Sequence, residues 1–409
     1  MVTYRPVAAL TPPPHLASEV AAPPYDVVNR DEARALIEGK PNRVMRVTRV
    51  DALLPDDMDL HSDAAYARAR EEFEGLKARG ALRETPARFY IYAQEMNTPH
   101  GLHRQVGVMG SATAEDYWAD RIKKHEFTLP QKEEDRMRLV QTLRAHMGPV
   151  FLTYRATPTL NALMARASSG APEVDFVAED GVRHTLWAVT DPVTEGEIEA
   201  GFAQLSALYI ADGHHRAAAA ARVGRDAGAG EARGRFLAVA FPHDQLYLMP
   251  YNRVVRHLNG HTPATLIEAL RARFEVSPLE AARAPKERHE WSMCLAGVWY
   301  SLRPTPALAA ELAGRDAKAQ LSVSVLQVEV LDPLLGVRDP RTATHIDFVG
   351  GIRGLEALER GAGEGGVAFS LAPTTTEEVM AIADLGEVMP PKSTWFEPKL
   401  RSGLVVSYF

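Results

Sequence analysis

The chain has 409 residues, of which 46% are hydrophobic and 24% are charged, a composition typical of globular proteins rather than disordered ones. Its formal net charge of −7 argues against a broad nucleic-acid surface, because such binding depends on neutralising phosphates with Lys and Arg. The single cysteine, Cys294, excludes an internal disulfide and any multi-thiolate zinc or iron–sulfur site.

The sequence lacks the signals of export and of membrane insertion. Neither the apolar region and cleavage site of a signal peptide after Met1 nor an apolar run of about 18 residues occurs. We therefore expect a cytoplasmic protein with no membrane partner.

Helix and strand signals alternate along the chain without the regular βα repeat of a barrel. Periodicity, capping residues and glycine or proline stops predict helices over residues 31–39, 62–79, 128–148, 217–223, 264–274 and 323–335. Short apolar or alternating runs predict a β-hairpin over 88–109 and strands over 150–154, 205–210, 235–241, 246–255 and 291–300.

This mixture predicts an α+β fold with mixed sheets and several lobes. We expect an N-terminal α/β lobe over residues 1–114, a core over 115–258, and a C-terminal α+β lobe with a returning tail over 259–409.

The most informative stretch is an apolar strand followed by Asp212, Gly213, His214, His215, Arg216 and five alanines. It predicts a strand, a tight glycine turn and a helix N-terminus, where free N–H groups and the helix dipole attract anions. Gly213 lets the backbone approach a phosphate, and the next three side chains add donors. Asp212 could ligate a magnesium ion carried by a nucleotide or orient a histidine. The alternative is an ordinary N-cap at Asp212 followed by a solvated first turn.

This motif resembles the phosphate-binding motif of the ParB/sulfiredoxin-like superfamily, in which a related strand, turn and helix hold nucleotide phosphates. It resembles more closely the free serine kinases of that superfamily. Those kinases have an upstream His-Glu pair, whose glutamate is thought to act as base on the serine hydroxyl, and His125-Glu126 occupies that relative place. The resemblance implies a ParB/sulfiredoxin-like core and an insertion near residues 156–204.

Nearly the whole chain resembles a prokaryotic family known only as a domain of unknown function, family 1015. Five separated motifs in one order carry this resemblance, and the family implies no established reaction. The motifs are Pro-Pro-Tyr-Asp at 23–26, His-Glu-Phe-Thr with Lys and Asp-Arg at 125–136, Asp-Gly-His-His-Arg at 212–216, Met-Pro-Tyr-Asn-Arg at 249–253 and Met-Pro-Pro-Lys-Ser-Thr-x-Phe-x-Pro-Lys at 389–399.

The C-terminal motif contains Lys-Ser-Thr but lacks the upstream glycines of a P-loop, so a Walker A cradle is rejected. Its prolines stiffen a loop that offers rigid donors to an anion, namely Lys392, Ser393, Thr394 and Lys399. We predict that residues 389–399 fold back over the phosphate-binding turn. The alternative is a surface tail anchored by its two aromatic residues.

A second group of residues is predicted to bind the substrate. Tyr25 and Asp26 follow two prolines that hold them rigidly, although a tight turn explains them equally well. His125, Asn252 and Arg253 belong to the family motifs and complete this group.

Together these features favour a nucleotide-dependent phosphotransferase that acts on the hydroxyl of a small metabolite, with free L-serine as the first acceptor to test. ADP or ATP with Mg²⁺ would be the cofactor, and residues 213–216 with Lys392 would bind its phosphates. Glu126 would accept the hydroxyl proton, and Asp212 and His215 would complete the catalytic set.

Three alternatives accompany this reading. The same site could act as a phosphatase on a metabolite such as phosphoserine, or as a nucleotide-binding regulatory protein without turnover. A sulfiredoxin-like reductase needs a cysteine in the turn, where this chain has histidine. The oligomeric state is left open, with a homodimer as one option.

Overall fold

Helices and strands are mixed throughout the computed structural model, which describes residues 1–227 and 231–409. The chain forms two compact units: the first comprises Met1–Leu246 and Pro398–Phe409, and the second comprises Tyr247–Glu397. The second unit is therefore an insertion in the sequence of the first.

The α-helices and strands of the first unit lie before Leu246, apart from its last strand. They are β1 (Tyr4–Arg5), β2 (Val7–Thr11), α1 (Ala17–Val20), α2 (Arg30–Ile37), α3 (Met45–Thr48), α4 (Asp63–Ala78), β3 (Arg83–Arg88), β4 (Tyr90–Thr98), β5 (Gly101–Thr113), α5 (Ala114–Trp118), β6 (Ile122–Lys123), α6 (Pro130–Leu143), β7 (Ala145–His146), β8 (Val150–Tyr154), α7 (Pro158–Ala167), β9 (Val174–Val177), β10 (Arg183–Ala188), α8 (Pro192–Ala203), β11 (Leu208–Asp212), α9 (His214–Val223) and β12 (Arg235–Pro242).

The second unit follows, and the last strand then returns to the first unit. The second unit contains β13 (Tyr247–Met249), β14 (Tyr251–Val255), α10 (Pro263–Arg271), β15 (Phe274–Pro278), β16 (Trp291–Leu295), β17 (Val298–Pro304), α11 (Pro306–Ala313), α12 (Ser322–Leu326), β18 (Ile346–Gly350), α13 (Gly354–Ala362), β19 (Val367–Leu371), α14 (Thr376–Asp384) and β20 (Trp395–Glu397), and the returning strand is β21 (Val406–Tyr408).

A nine-stranded mixed sheet forms the centre of the first unit, in the order β6-β11-β8-β12-β5-β4-β10-β9, with β1 paired to β5. A four-stranded sheet in the order β3-β2-β21-β7 lies in the same unit, with the returning strand in its interior. The second unit has a six-stranded sheet in the order β15-β17-β16-β19-β14-β18 and the strand pair β13-β20. The α+β fold predicted from the sequence is confirmed.

Local signals explain why these segments adopt their structures. Ser62 caps α4 by accepting a hydrogen bond from the Ala65 N–H, and α6 begins at Pro130, which has no N–H to lose. The predicted hairpin is formed by β4 and β5, which turn between Thr98 and Gly101.

Several predicted elements differ from the structure. The helix expected over 323–335 is α-helical only to Leu326 and continues as a π-helix to Leu331. The strand expected over 246–255 is broken at Pro250 into β13 and β14, because proline has no N–H for the ladder. The strand expected over 291–300 is the hairpin of β16 and β17, and the helix expected over 128–148 ends at Leu143, where Arg144 is left-handed.

The three lobes expected from the sequence differ from the two units of the structure. A boundary at residue 114 would cut the central sheet, because β12 pairs with β5 from Arg235↔Thr113 to Ala240↔Val108. The insertion expected near residues 156–204 corresponds to α7, β9, β10 and α8, of which β10 extends the sheet by pairing with β4. None of the helices in the described residues combines the length and apolarity needed to cross a bilayer.

Candidate functional site

The predicted turn joins β11 to α9 at the carboxyl end of β11, which lies in the central sheet. Gly213 is left-handed, with φ of +89°, a conformation that side chains other than glycine rarely adopt. A β-bulge interrupts the pairing of β11 with β8 between Ile210 and Asp212, and such bulges re-aim side chains. The amide groups at the start of α9 are therefore presented beside the Asp212 carboxylate.

The pairing of the strands brings two motifs to this end of the sheet's strands. The strands β6 and β11 are parallel neighbours, so the residues that follow their carboxyl ends lie close together. His125 and Glu126 follow β6, and Gly213 and His214 follow β11. The neighbouring strand β8 runs antiparallel to β11, so its amino end, with Pro149, lies beside the carboxyl end of β11.

Asp212 contacts the returning tail. Its Oδ1 accepts a hydrogen bond from the Gly213 N–H at 3.0 Å, and its Oδ2 accepts one from Lys399 Nζ at 3.2 Å. Gly213, rather than Asp212, is the N-cap residue of α9, and no side chain caps this helix. The ordinary N-cap alternative for Asp212 is therefore wrong.

The electrostatics of this pair keep Asp212 ionised. Burial alone would raise the pKa of its carboxyl, but the charges of Lys399 and Arg216 and the Lys399 hydrogen bond outweigh burial and hold the pKa at about 2. The site therefore contains a fixed anion next to a fixed cation.

Glu126 and His214 lie close together at the first turn of α9. His214 Nε2 accepts a hydrogen bond from the His125 N–H at 3.5 Å, so its proton is on Nδ1, which is 3.6 Å from Glu126 Oε2. The His125 and His214 rings meet edge to face at 4.5 Å. Burial lowers the pKa of His125 to about 4 and that of His214 well below its usual value, so both rings are neutral near pH 7. The Glu126 side chain is 47% exposed and can reach a ligand.

His215 connects α9 to the start of α6. Its Nε2 accepts a hydrogen bond from the Leu129 N–H at 3.0 Å. This ring nitrogen thus holds the segment that carries Glu126, and a positioning role suits His215 better than the catalytic role predicted from the sequence.

Arg216 is mostly buried and holds two other segments. Its Nη1 donates to Pro149 O at 2.6 Å, and its Nη2 lies 3.7 Å from Asp26 Oδ1. The guanidinium groups of Arg136 and Arg216 lie 4.1 Å and 5.8 Å from the centre of the Tyr25 ring. The structure therefore brings Tyr25 and Asp26 to the predicted phosphate-binding turn.

A hollow of about 340 Å³ opens beside Tyr25 and Asp26. Its wall carries the ion pairs Arg49–Asp51 and Arg136–Asp135. Burial raises the pKa of Tyr25 to about 12, so its phenol stays protonated.

A buried polar network holds the tail that carries Lys399. Gln94 Nε2 donates to Lys399 O at 3.0 Å and its Oε1 accepts from Gln105 Nε2 at 2.9 Å, with both glutamines fully buried. Arg401 Nε donates to His184 Nε2 at 3.1 Å, and His184 Nδ1 bonds the Tyr92 hydroxyl at 2.7 Å. Sequence analysis missed this network, because its members lie on β4, β5, β10 and the tail without a shared motif.

The other predicted site residues lie in the second unit. Asn252 Oδ1 accepts from the Leu371 N–H at 3.1 Å, and Arg253 donates to Tyr251 O and Pro391 O. Burial lowers the pKa of Arg253 to about 9.

The C-terminal loop of this unit meets the same strand. Lys392 Nζ lies 5.3 Å from the centre of the Tyr251 ring, Ser393 Oγ donates to Pro390 O at 2.6 Å, and Thr394 directly precedes β20. Residues 249–253 and 389–397 of two distant motifs thus meet within this unit. Their proposed roles in substrate and phosphate binding stay predictions.

In the described residues no group of three or more His, Cys, Asp or Glu side chains could hold a metal ion. A magnesium ion that arrives on a nucleotide needs only one or two protein carboxylates, and the ionised Asp212 fits that requirement.

Comparisons with known proteins give a family and distant structural likenesses. The model of the family "Protein of unknown function (DUF1015)" matches residues 4–332. A search of curated proteins finds no match. Solved structures that resemble this chain include a free serine kinase in complex with AMP (16% identity, 72% of this chain and 91% of that chain, TM-score 0.34). They also include C-terminally truncated SbnI from Staphylococcus aureus (13%, 73% and 87%, TM-score 0.39) and a conserved hypothetical protein from Pyrococcus furiosus (17%, 71% and 92%, TM-score 0.34). Likeness at this level says nothing about activity.

Proposed function

The chain belongs to the DUF1015 family, and within it we propose that this protein is a nucleotide-dependent phosphotransferase that acts on the hydroxyl of a small metabolite. The observation that carries the proposal is the meeting of Lys399, Asp212, Arg216 and Glu126 around the start of α9. Phosphoryl transfer needs bound phosphates, neutralised charge and an oriented hydroxyl, and little covalent chemistry from the protein.

Phosphate binding is the first step of the proposed mechanism. The N–H groups of the first turn of α9 donate to phosphate oxygens, and the left-handed Gly213 lets the backbone approach them closely. Lys399 supplies a positive charge beside this turn. Asp212 would repel a bare phosphate, but it would hold a Mg²⁺ ion that arrives with the nucleotide, and that ion would screen the phosphate charge.

Proton transfer is the second step. Glu126 accepts the proton of the acceptor hydroxyl as the phosphoryl group moves. Its carboxylate lies 3.6 Å from Nδ1 of the neutral His214, whose other nitrogen accepts a hydrogen bond from the His125 N–H. This arrangement orients Glu126 without neutralising its charge, as a general base requires.

The acceptor is expected to carry a positive charge, a negative charge and a hydroxyl. The hollow beside Tyr25 and Asp26 presents arginine and aspartate side chains to it, and free L-serine remains the first acceptor to test. A phosphatase would use the same groups with water as the acceptor.

The test measures binding first and turnover second. Calorimetry with ADP and ATP, with and without Mg²⁺, should detect a nucleotide, and the loaded protein is then offered serine, threonine, glycerate and inositol. Glu126→Gln should lower turnover by about a hundredfold to ten-thousandfold with little change in nucleotide affinity.

Glu71→Gln is the matched control, because Glu71 is 72% exposed on α4. It should behave as wild type. A Glu126→Gln variant that turns over at the wild-type rate would place the base elsewhere. Hydrolysis of phosphoserine without any phosphorylated acceptor would reverse the proposed reaction direction.

A further inference from the structure

The segment between β6 and α6 is held at two points by the first turn of α9. His125 donates its backbone N–H to His214 Nε2 at 3.5 Å, and Leu129 donates its backbone N–H to His215 Nε2 at 3.0 Å. Phe127 lies midway between these two contacts. His214 and His215 therefore fix the backbone two residues before and two residues after Phe127.

Phe127 nevertheless points its ring away from the protein interior. Its side chain is 70% exposed, whereas His125 is buried on the same segment. Burying a large apolar ring is favourable, so a ligand that covers the exposed Phe127 ring gains binding free energy. A rigidly held and exposed ring beside a phosphate-binding turn has the properties of a stacking platform.

We propose that Phe127 stacks against the base of a bound nucleotide, so that the ligand of this site is a nucleoside phosphate rather than a phosphate alone. This inference rests on the proposed phosphate site at the start of α9. It extends that site by one recognition element and by the chemical class of its ligand.

Distance supports the assignment. Two residues span at most about 7 Å, so the Phe127 backbone lies within that length of each residue that contacts the α9 turn. A base joined through ribose to phosphates at that turn can reach such a ring. Stacking on an aromatic face tolerates every base, because each base has a π-face. The platform therefore selects nucleotides as a class and leaves the choice of base to other contacts.

The experiment compares ligands that share phosphates but differ in the base. Affinities for ADP and for inorganic pyrophosphate are measured by calorimetry in wild type, Phe127→Ala, Phe127→Trp and Leu129→Ala. Leu129 is the matched control, because its side chain is also exposed, at 57%, and its backbone contact to His215 does not depend on the side chain.

We expect Phe127→Ala to weaken ADP binding by about five- to 150-fold and to leave pyrophosphate binding unchanged. Phe127→Trp should restore ADP affinity, and Leu129→Ala should bind both ligands as wild type does.

The outcomes separate this inference from the function on which it rests. If wild type binds no pyrophosphate and no ADP, the phosphate site itself fails. If both ligands bind but Phe127→Ala binds ADP normally, only the stacking platform is wrong. Equal weakening of both ligands in Phe127→Ala, or equal losses in the Leu129 control, also overturns it, because Phe127 would then only support the segment.

Discussion

Replacing Lys399 by methionine removes the ammonium group that faces Asp212 and keeps an apolar stem of similar length. The two charged atoms are 3.2 Å apart, and the side chains are 15% and 31% exposed. At this distance two unit charges attract by about 5 kcal/mol if the effective dielectric constant is about 20. Solvent and the remaining partners of Asp212 reduce the loss, so we expect Lys399→Met to lower the free energy of unfolding by about 1–3 kcal/mol.

A second substitution shows whether this loss comes from the unpaired carboxylate. In Lys399→Met the pKa of Asp212 should rise above its value of about 2, because the largest stabilising charge is gone. Adding Asp212→Asn should recover part of the unfolding free energy, because asparagine leaves no buried charge unpaired. Urea unfolding and a carbon-13 titration of the aspartate carboxyl measure the two effects.

The same substitution should weaken phosphate binding. Loss of one charge-assisted contact costs about 1.5–3 kcal/mol, which is roughly a tenfold to hundredfold loss of pyrophosphate affinity. Lys40→Met is the control, because Lys40 pairs with Glu179 on the surface of the same unit. An unchanged Asp212 titration, or equal losses in the single and double variants, would refute the assignment of this ion pair.

Three further predictions concern the surroundings of this pair. Gln94→Leu removes the donor to Lys399 O, so the pKa of Asp212 should rise as it does in Lys399→Met; an unchanged titration would mean that the tail is held without Gln94. Asp212→Asn should abolish the gain in ADP affinity that Mg²⁺ gives, and an undiminished gain would exclude Asp212 as a ligand. Burial lowers the pKa of His125 and His146 to about 4, so the unfolded state binds protons first and stability falls between pH 6.5 and 4 by up to about 3 kcal/mol for each. Urea unfolding across this range should show a shallower pH dependence for His146→Gln.

Local chemistry explains which parts of the fold could be predicted from sequence. The β11–α9 turn followed from an apolar strand, a glycine and an alanine run, and α4 and α6 followed from caps and a proline start. The hairpin of β16 and β17 was hidden because its two turn residues, Ala296 and Gly297, both have positive φ. Such turns are usually signalled by Asn-Gly or Asp-Gly, and alanine rarely adopts this conformation.

Long-range pairing explains what could not be predicted. The strands β12 and β5 lie side by side, although the sequence of neither strand identifies the strand with which it pairs. The proximity of Glu126 to the α9 turn was expected from a resemblance, but its physical cause is the parallel pairing of β6 with β11. Sequence identified Lys399 as a donor, whereas its contact with Asp212 requires the return of the tail, where Gln94 donates to Lys399 O.

That return also determines how the role of the tail can be tested. Residues 389–399 were predicted to fold back over the phosphate-binding turn, but the chain changes units after Glu397, and Lys399 belongs to the first unit with β21. Truncation before Pro398 would remove β21 from between β2 and β7, so it would destabilise the four-stranded sheet as well as remove a cation. A truncated protein that fails to bind ligand would therefore not distinguish unfolding from loss of a contact. Because Lys399 lies before β21, its substitution leaves that strand in place and tests the contact with Asp212, and it does so only in a full-length chain.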